Sequence, residues 1–193
     1  MYMSSILKKQ QVFDGYKAKL EQMVSDSDFH RYLPDADGKI MKYVDLAKYN
    51  TMDELLPNKD DYRIILTETK KNSGHWCCLV KYGDVIEWWD SYGVRPEGEM
   101  AFIPQAVKQM LGETRHELNR LFDTVPEDKS CIYNKKKVQE LKDGINTCGK
   151  WCICRVQMAM FGYNLPNFLD FLKRQKEETG KPYDILVSEW ILV

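Results

Sequence analysis

Residues 148–161 limit the fold more than any other stretch of this chain. The run contains Trp151, Cys152, Ile153, Cys154, Val156, Met158, Ala159, Met160 and Phe161, spaced so that a helix built from them is apolar on nearly every side. Such a helix belongs inside a protein, so other elements must cover it all round. A polar turn, Ile145-Asn146-Thr147, leads into it and Gly162 ends it. Any fold for the chain must therefore bury one central helix with Cys148 at its N-terminus.

The neighbouring segments supply the cover. Tyr62–Thr67 is rich in β-branched and aromatic residues and reads as a strand. His75–Lys81 and Val85–Trp89 read as two more, joined at Tyr82-Gly83-Asp84. Short strands are expected at 129–133 and 137–141. Helices are expected at 97–111, 113–122 and 166–178, the last with Pro166 in its first turn and Gly180 beyond its end. Residues 185–193 close the chain as a strand or short helix. Residues 1–25 read as helical with a polar face, and Thr51-Met52-Asp53-Glu54 reads as a capping box. The expected class is α+β, a mainly antiparallel sheet packed against a buried helix, in one domain over 1–193. Residues 1–60 form an N-terminal helical extension to a core at 61–193.

Charge excludes little and points nowhere. The formal net charge is −1, so neither nucleic acid nor a membrane surface is indicated as a partner. The basic runs Lys70-Lys71 and Lys135-Lys136-Lys137 read as solvated faces. No stretch reaches the roughly 20 apolar residues of a membrane span. The six cysteines, 77, 78, 131, 148, 152 and 154, could in number form disulfides. With no secretory signal at the start and several cysteines inside predicted core elements, reduced thiols of a non-secreted protein are the better reading. Paired CxxC knuckles are missing, so no metal and no cofactor are expected.

Chemistry gathers at one end of these elements. A cysteine at a helix N-terminus feels the positive end of the macrodipole, which favours thiolate. The hairpin then brings a histidine and a carboxylate together. If Tyr82-Gly83 is the loop, His75 lies opposite Asp90; if Gly83-Asp84 is the loop, Asp90 faces Cys77 and His75 is its diagonal neighbour. Both registers put His75 and Asp90 on one face within side-chain reach. Cysteine, histidine and aspartate are the parts of a nucleophile, base and orienter. His30 and His116 are weaker candidates, one in a polar turn and one on a surface helix.

The order Gly74-His75-Trp76, Trp89-Asp90-Ser91, Val138-Gln139 and Thr147-Cys148-Gly149, followed by the buried helix, resembles the adenovirus maturation protease (adenain) family. The same order marks the SUMO and ubiquitin-like protein proteases. The resemblance covers roughly residues 60–163, and in overall look extends to virophage (mavirus-type) maturation proteases. It implies a papain-like cysteine endopeptidase with Cys148 as nucleophile, His75 as base and Asp90 as orienter. Gln139 would help form the oxyanion hole with the Cys148 backbone N–H. One departure stands out. The family glutamine lies six or seven residues before the cysteine, whereas Gln139 lies nine before, with Lys142-Asp143-Gly144 as the added bulge. Asn146 and Asn134 are rival donors. Trp76 would wall a narrow substrate cleft that favours glycine near the scissile bond.

The same resemblance implies a monomeric viral enzyme that cuts capsid or structural precursors in the host cytoplasm or viral factory and is packaged in the virion. The family implies a possible activating peptide; the near-neutral charge gives no ground for a DNA cofactor. Two alternatives share the fold: a desumoylase or deubiquitinase-like protease acting on ubiquitin-like C-termini, and a binding module without activity.

Overall fold

The computed structural model describes residues 15–33 and 35–193. Most of the expected residues 1–25 helix lies outside them; the described part, 15–21, is helical (α1). α2 (Asp26–Tyr32) opens on Ser25, whose hydroxyl accepts from the Asp28 N–H while the Asp28 carboxylate takes the Ser25 N–H, a complete capping box. β1 (Ile40–Lys42) follows, then a 3₁₀ turn at Tyr43–Lys48 and α3 (Met52–Leu55). Thr51 caps α3 through the Glu54 N–H, but the Glu54 carboxylate turns to the Asn50 N–H, so the predicted box is half formed.

β2 (Asp61–Lys70), β3 (Ser73–Tyr82) and β4 (Val85–Trp89) make an antiparallel meander. β1 and β5 (Ser130–Tyr133) flank it in parallel pairings, giving the order β1-β2-β3-β4-β5. The class is α+β as expected, antiparallel at the centre and parallel at both edges. The parallel edges follow from long crossovers at 43–60 and 90–129, which tight hairpins could not make.

Between β4 and β5 the expected long helix over 97–111 is broken. Pro104 holds Ile103 in extended backbone, so a 3₁₀ turn at Glu99–Phe102 stops there and α4 (Gln105–Leu111) begins afresh. The second helix shortens to α5 (Glu117–Phe122). Residues 137–141 form no strand. Their backbone hooks onto a loop instead, with the Val138 and Gln139 N–H groups both donating to the Ser91 carbonyl. α6 (Cys148–Met160), α7 (Leu165–Thr179) and α8 (Tyr183–Trp190) complete the chain, so its end is helical.

The sheet separates two cores, and alternation along β3 and β4 assigns their residues. Cys78, Val80 and Trp89 face α6, meeting Trp151, Cys152, Ile153 and Phe168. Cys77, Leu79, Ile86 and Trp88 face α3 and α5. Trp89 packs on Phe168 at 5.2 Å and on Trp151 at 6.4 Å between ring centroids. Within this core Arg155 binds Glu87 through two hydrogen bonds of 2.7 Å, with both side chains fully buried. Losing one partner would strand a buried charge, at about 3–5 kcal/mol. α6 is buried from Gly149 to Val156, but its last turn emerges: Met160 is exposed, and Phe161 just beyond is 79% exposed.

Candidate active site

Cys148 begins α6, and the local sequence leaves that helix end open. Thr147 is the N-cap, yet its hydroxyl does not cap; it donates to Asp184 Oδ1 at 2.5 Å. Backbone N–H groups of the first turn have no intrahelical carbonyl, and that of Gly149 turns to the sulfur. Cys148 Sγ accepts from the N–H groups of Gly149 and Trp76 and is hydrogen bonded to the His75 side chain.

His75 stands two residues into β3 with its side chain 13% exposed. Its Nε2 lies 2.9 Å from Asp90 Oδ1, which leaves Nδ1 as the ring nitrogen for sulfur. Asp90 follows β4 and is fully buried. Its Oδ1 also accepts the Tyr92 N–H at 2.7 Å, while Oδ2 finds no hydrogen-bond partner among the described residues. Of the two hairpin registers, the second is observed: Tyr82 pairs with Val85 and Cys78 with Trp89. Extended one step, it sets Asp90 across from Cys77. Gly83 permits this turn, with a φ of 56° that a side chain would strain.

Burial alone would push the Cys148 thiol up. The hydrogen bond and positive charge of His75, with the Trp76 and Gly149 N–H groups, outweigh it and hold the thiol below its usual range. Burial likewise opposes imidazolium, but the bonds to Asp90 and Cys148 raise His75 to about 10. The pair is therefore set as thiolate and imidazolium, a nucleophile beside a proton donor.

Gln139 is 1% exposed and commits its carbonyl oxygen and both amide donors nearby. Its Oε1 accepts from Ser91 Oγ at 2.7 Å; its Nε2 donates to the Ile145 carbonyl at 3.1 Å and to Tyr92 Oη at 3.2 Å. The two rivals are also engaged. Asn134 Nδ2 donates to the carbonyls of Asp90 and Lys136, and Asn146 Nδ2 to that of Glu21. Gln139 and Asn134 thus commit both amide donors, and Asn146 commits one.

Trp76 packs edge-on against Phe29, with ring centroids 4.9 Å apart. It lines a groove of about 750 Å³ together with Cys148, Val24, Met41, Lys42 and Leu66. Gly149 permits the narrow end: a Cβ there would lie 2.6 Å from Val24 Cβ and 3.3 Å from Trp76 Cδ1. The sequence treated residues 19–24 as an extension; the structure ties them to this entry. Asn146 N–H donates to the Leu20 carbonyl, and the buried Lys150 Nζ donates to that of Lys19 at 2.5 Å. Asp184 was missed as well. It receives Thr147 Oγ1 and the Glu140 N–H, and burial raises its carboxyl to about 6. A lone acid near the C-terminus carries no sequence signal for that role.

His30 pairs with Asp37, and His116 with Glu97, both apart from the sulfur cluster. One donor atom each from His75, Cys77 and Asp90 lie within 4.8 Å of one another. A thiophilic divalent ion would therefore compete for the same groups that face Cys148. Among the described residues no helix is long and apolar enough to cross a membrane.

Fold and site together define an α+β protein whose central buried helix presents a thiolate to a carboxylate-bound imidazole. No protein-family model matches the chain. It is 36% identical over 138 residues to the uncharacterized protein V9 of Sputnik virophage, covering 70% of this chain and 77% of that protein. The chain belongs to the family of that virophage protein. Among solved structures it is similar to the ASFV pS273R protease, at 14% identity and a TM-score of 0.46 over 86% of this chain and 72% of the other. The selenomethionine form of that protease gives 14% identity and a TM-score of 0.43, over 77% and 62%.

Proposed function

We propose that this chain is a viral cysteine endopeptidase that matures capsid or other structural precursor proteins by cutting at Gly-containing sites. The observation that carries the reading is the continuous array from Cys148 Sγ through the His75 imidazole to Asp90, with two backbone N–H groups on the sulfur. Membership in a virophage family supports the viral setting.

In this reading the Cys148 thiolate attacks the scissile carbonyl. The oxyanion forms against the helix N-terminus, where backbone N–H groups and the macrodipole meet it. The His75 imidazolium protonates the leaving amine, then as neutral base draws a proton from the water that hydrolyses the thioester. Asp90 holds the ring through Nε2. Gln139 serves as oxyanion donor by exchanging its 3.2 Å bond to Tyr92 Oη, the longer of its two donated bonds, for the developing charge. The approach of Val24 and Trp76 over Gly149 restricts the residue beside the scissile bond to small side chains.

The test is incubation of the full chain with structural precursors of its own virus and mapping of new termini by mass spectrometry. Cys148→Ala serves as the control. New termini after or before glycine, absent with the control, support the reading. Cleavage confined to a ubiquitin-like tail ending in Gly-Gly would replace it with the deconjugating alternative.

A further inference from the structure

The turn after β4 carries one residue that the catalytic reading leaves out. β4 ends at Trp89, and Tyr92 lies in the tight turn that follows, which brings its ring to His75. Tyr92 touches three of the groups at the site in three different ways. Its ring stacks on the imidazole, with centroids 4.7 Å apart and planes 23° from parallel. Its backbone N–H donates at 2.7 Å to Asp90 Oδ1, the oxygen that binds His75 Nε2. Its Oη accepts the Gln139 amide at 3.2 Å. The turn that allows this is fixed: the Gly93 N–H returns to the Asp90 carbonyl at 2.9 Å, and Gly93 takes a φ of 74°.

We propose that Tyr92 is a positioning residue of the Cys148 site, its ring fixing the plane of the His75 imidazole and keeping water off the His75–Asp90 hydrogen bond. A hydrogen bond to a charged group strengthens as water is excluded. The screened carboxylate therefore holds imidazolium more firmly, and imidazolium holds the thiolate. The titratable groups facing His75 are Asp90 and Tyr92 beyond β4, Cys148 on α6 and Cys77 on its own strand. Tyr92 itself stays neutral, since burial and the nearby Cys148 and Asp90 charges all push its phenol up.

The inference rests on the peptidase reading for its meaning, but its first readout needs no substrate. In the full chain, the pH dependence of Cys148 alkylation by iodoacetamide is followed peptide by peptide for wild type, Tyr92→Phe, Tyr92→Leu and Tyr92→Ala. Tyr92→Ala and Tyr92→Leu are expected to move the midpoint up, toward the ordinary cysteine value of 9.0. Tyr92→Phe keeps the ring and the backbone N–H and should restore it. On a cleaved peptide, kcat should fall on the order of 10²-fold in Tyr92→Ala with KM little changed, as a misplaced base predicts. Tyr92→Leu fills the volume without a flat ring, so it decides the matter if Tyr92→Ala does not fold. An unchanged midpoint in Tyr92→Leu overturns the inference, as does Tyr92→Phe behaving like Tyr92→Leu. A shifted midpoint in a chain that cuts no peptide overturns the peptidase reading and leaves the role of Tyr92 standing.

Discussion

Two histidines of this chain each bind a buried carboxylate, and only one of them stands at a site. His75 meets Asp90 at 2.9 Å through Nε2; His116 meets Glu97 at 2.6 Å through Nδ1. By bond length alone the second is the better pair. The surroundings differ. Glu97 also takes Tyr43 Oη, the Leu118 and Asn119 N–H groups and the Asn119 side-chain amide, so its oxygens are saturated and it fastens the start of α5 to Tyr43, the first residue of the Tyr43–Lys48 3₁₀ turn. The His116 ring is 78% exposed and leads on to solvent. The His75 ring is mostly covered and leads on to a sulfur, with Tyr92 across its face. A histidine–carboxylate bond is thus a common structural device. It becomes chemistry where the second ring nitrogen has a nucleophile to serve and water is kept away.

The sharpest way to break this comparison is to remove the sulfur or its base. Cys148→Ala and His75→Ala should each lower cleavage on the order of 10³-fold or more, and the double variant should be little worse, because the two act as one unit. Additive losses would mean that they work separately. Cys148 should also be alkylated fastest of the six cysteines at neutral pH. Cys77, Cys78, Cys152 and Cys154 are buried, and burial raises the thiols of Cys131, Cys152 and Cys154. Uniform labelling would argue against a tuned thiol.

The two carboxylates come next. Asp90→Asn should lower kcat about 10- to 1000-fold, less than loss of the base, since the role is to orient and to hold charge. It should also move the basic limb of kcat/KM. His75 is raised from 6.5 to about 10, so the imidazolium survives until the pH passes 10. Without the Asp90 charge that limb should fall toward neutrality; a limb that stays put would remove Asp90 from the mechanism. Glu97→Gln should do the reverse. It leaves buried donors poorly matched and should cost about 1–3 kcal/mol of stability by denaturant titration, with kcat unaltered.

Gln139→Ala separates two jobs held by one side chain. As an oxyanion donor its loss costs on the order of 10²-fold in kcat with KM unchanged. As a brace it joins Ser91, Tyr92 and the Ile145 carbonyl just before Cys148, so its loss should also lower the melting temperature. A lower melting temperature with kcat intact would leave only the brace.

How far the chain could be read follows the range of the forces involved. The buried helix, the β2–β3–β4 meander and the pairing of His75 with Asp90 come from periodicity and one tight turn, which are local. Tyr92 was missed: its stacking on His75 depends on the turn after β4, and a tyrosine past a strand end looks like any loop aromatic. Asp184 beneath Thr147, residues 19–24 against Gly149 and the parallel edges depend on contacts between distant segments, which leave no pattern in either one alone. The 137–141 segment misled because its apolar residues, Val138 and Leu141, suggest a strand, while its N–H groups bind a single loop carbonyl at Ser91.

The smallest expected effect tests the comparison from its quiet side. His116→Ala removes an exposed imidazole from a carboxylate that keeps four other donors from Tyr43, Leu118 and Asn119. The bond contributes little, because the 78% exposed ring is already solvated and loses rotamer freedom in holding one pose, while Glu97 keeps its other donors. The variant should therefore stay within about 0.5 kcal/mol of wild type in stability, with kcat and KM unaltered. Its pH–rate profile should overlay that of wild type, since His116 shares no hydrogen bond with the residues around Cys148. A shifted limb in His116→Ala would show that the second histidine reports to the first. The contrast between a saturated structural pair and an open chemical one would then have to be redrawn around the turn that carries Glu97.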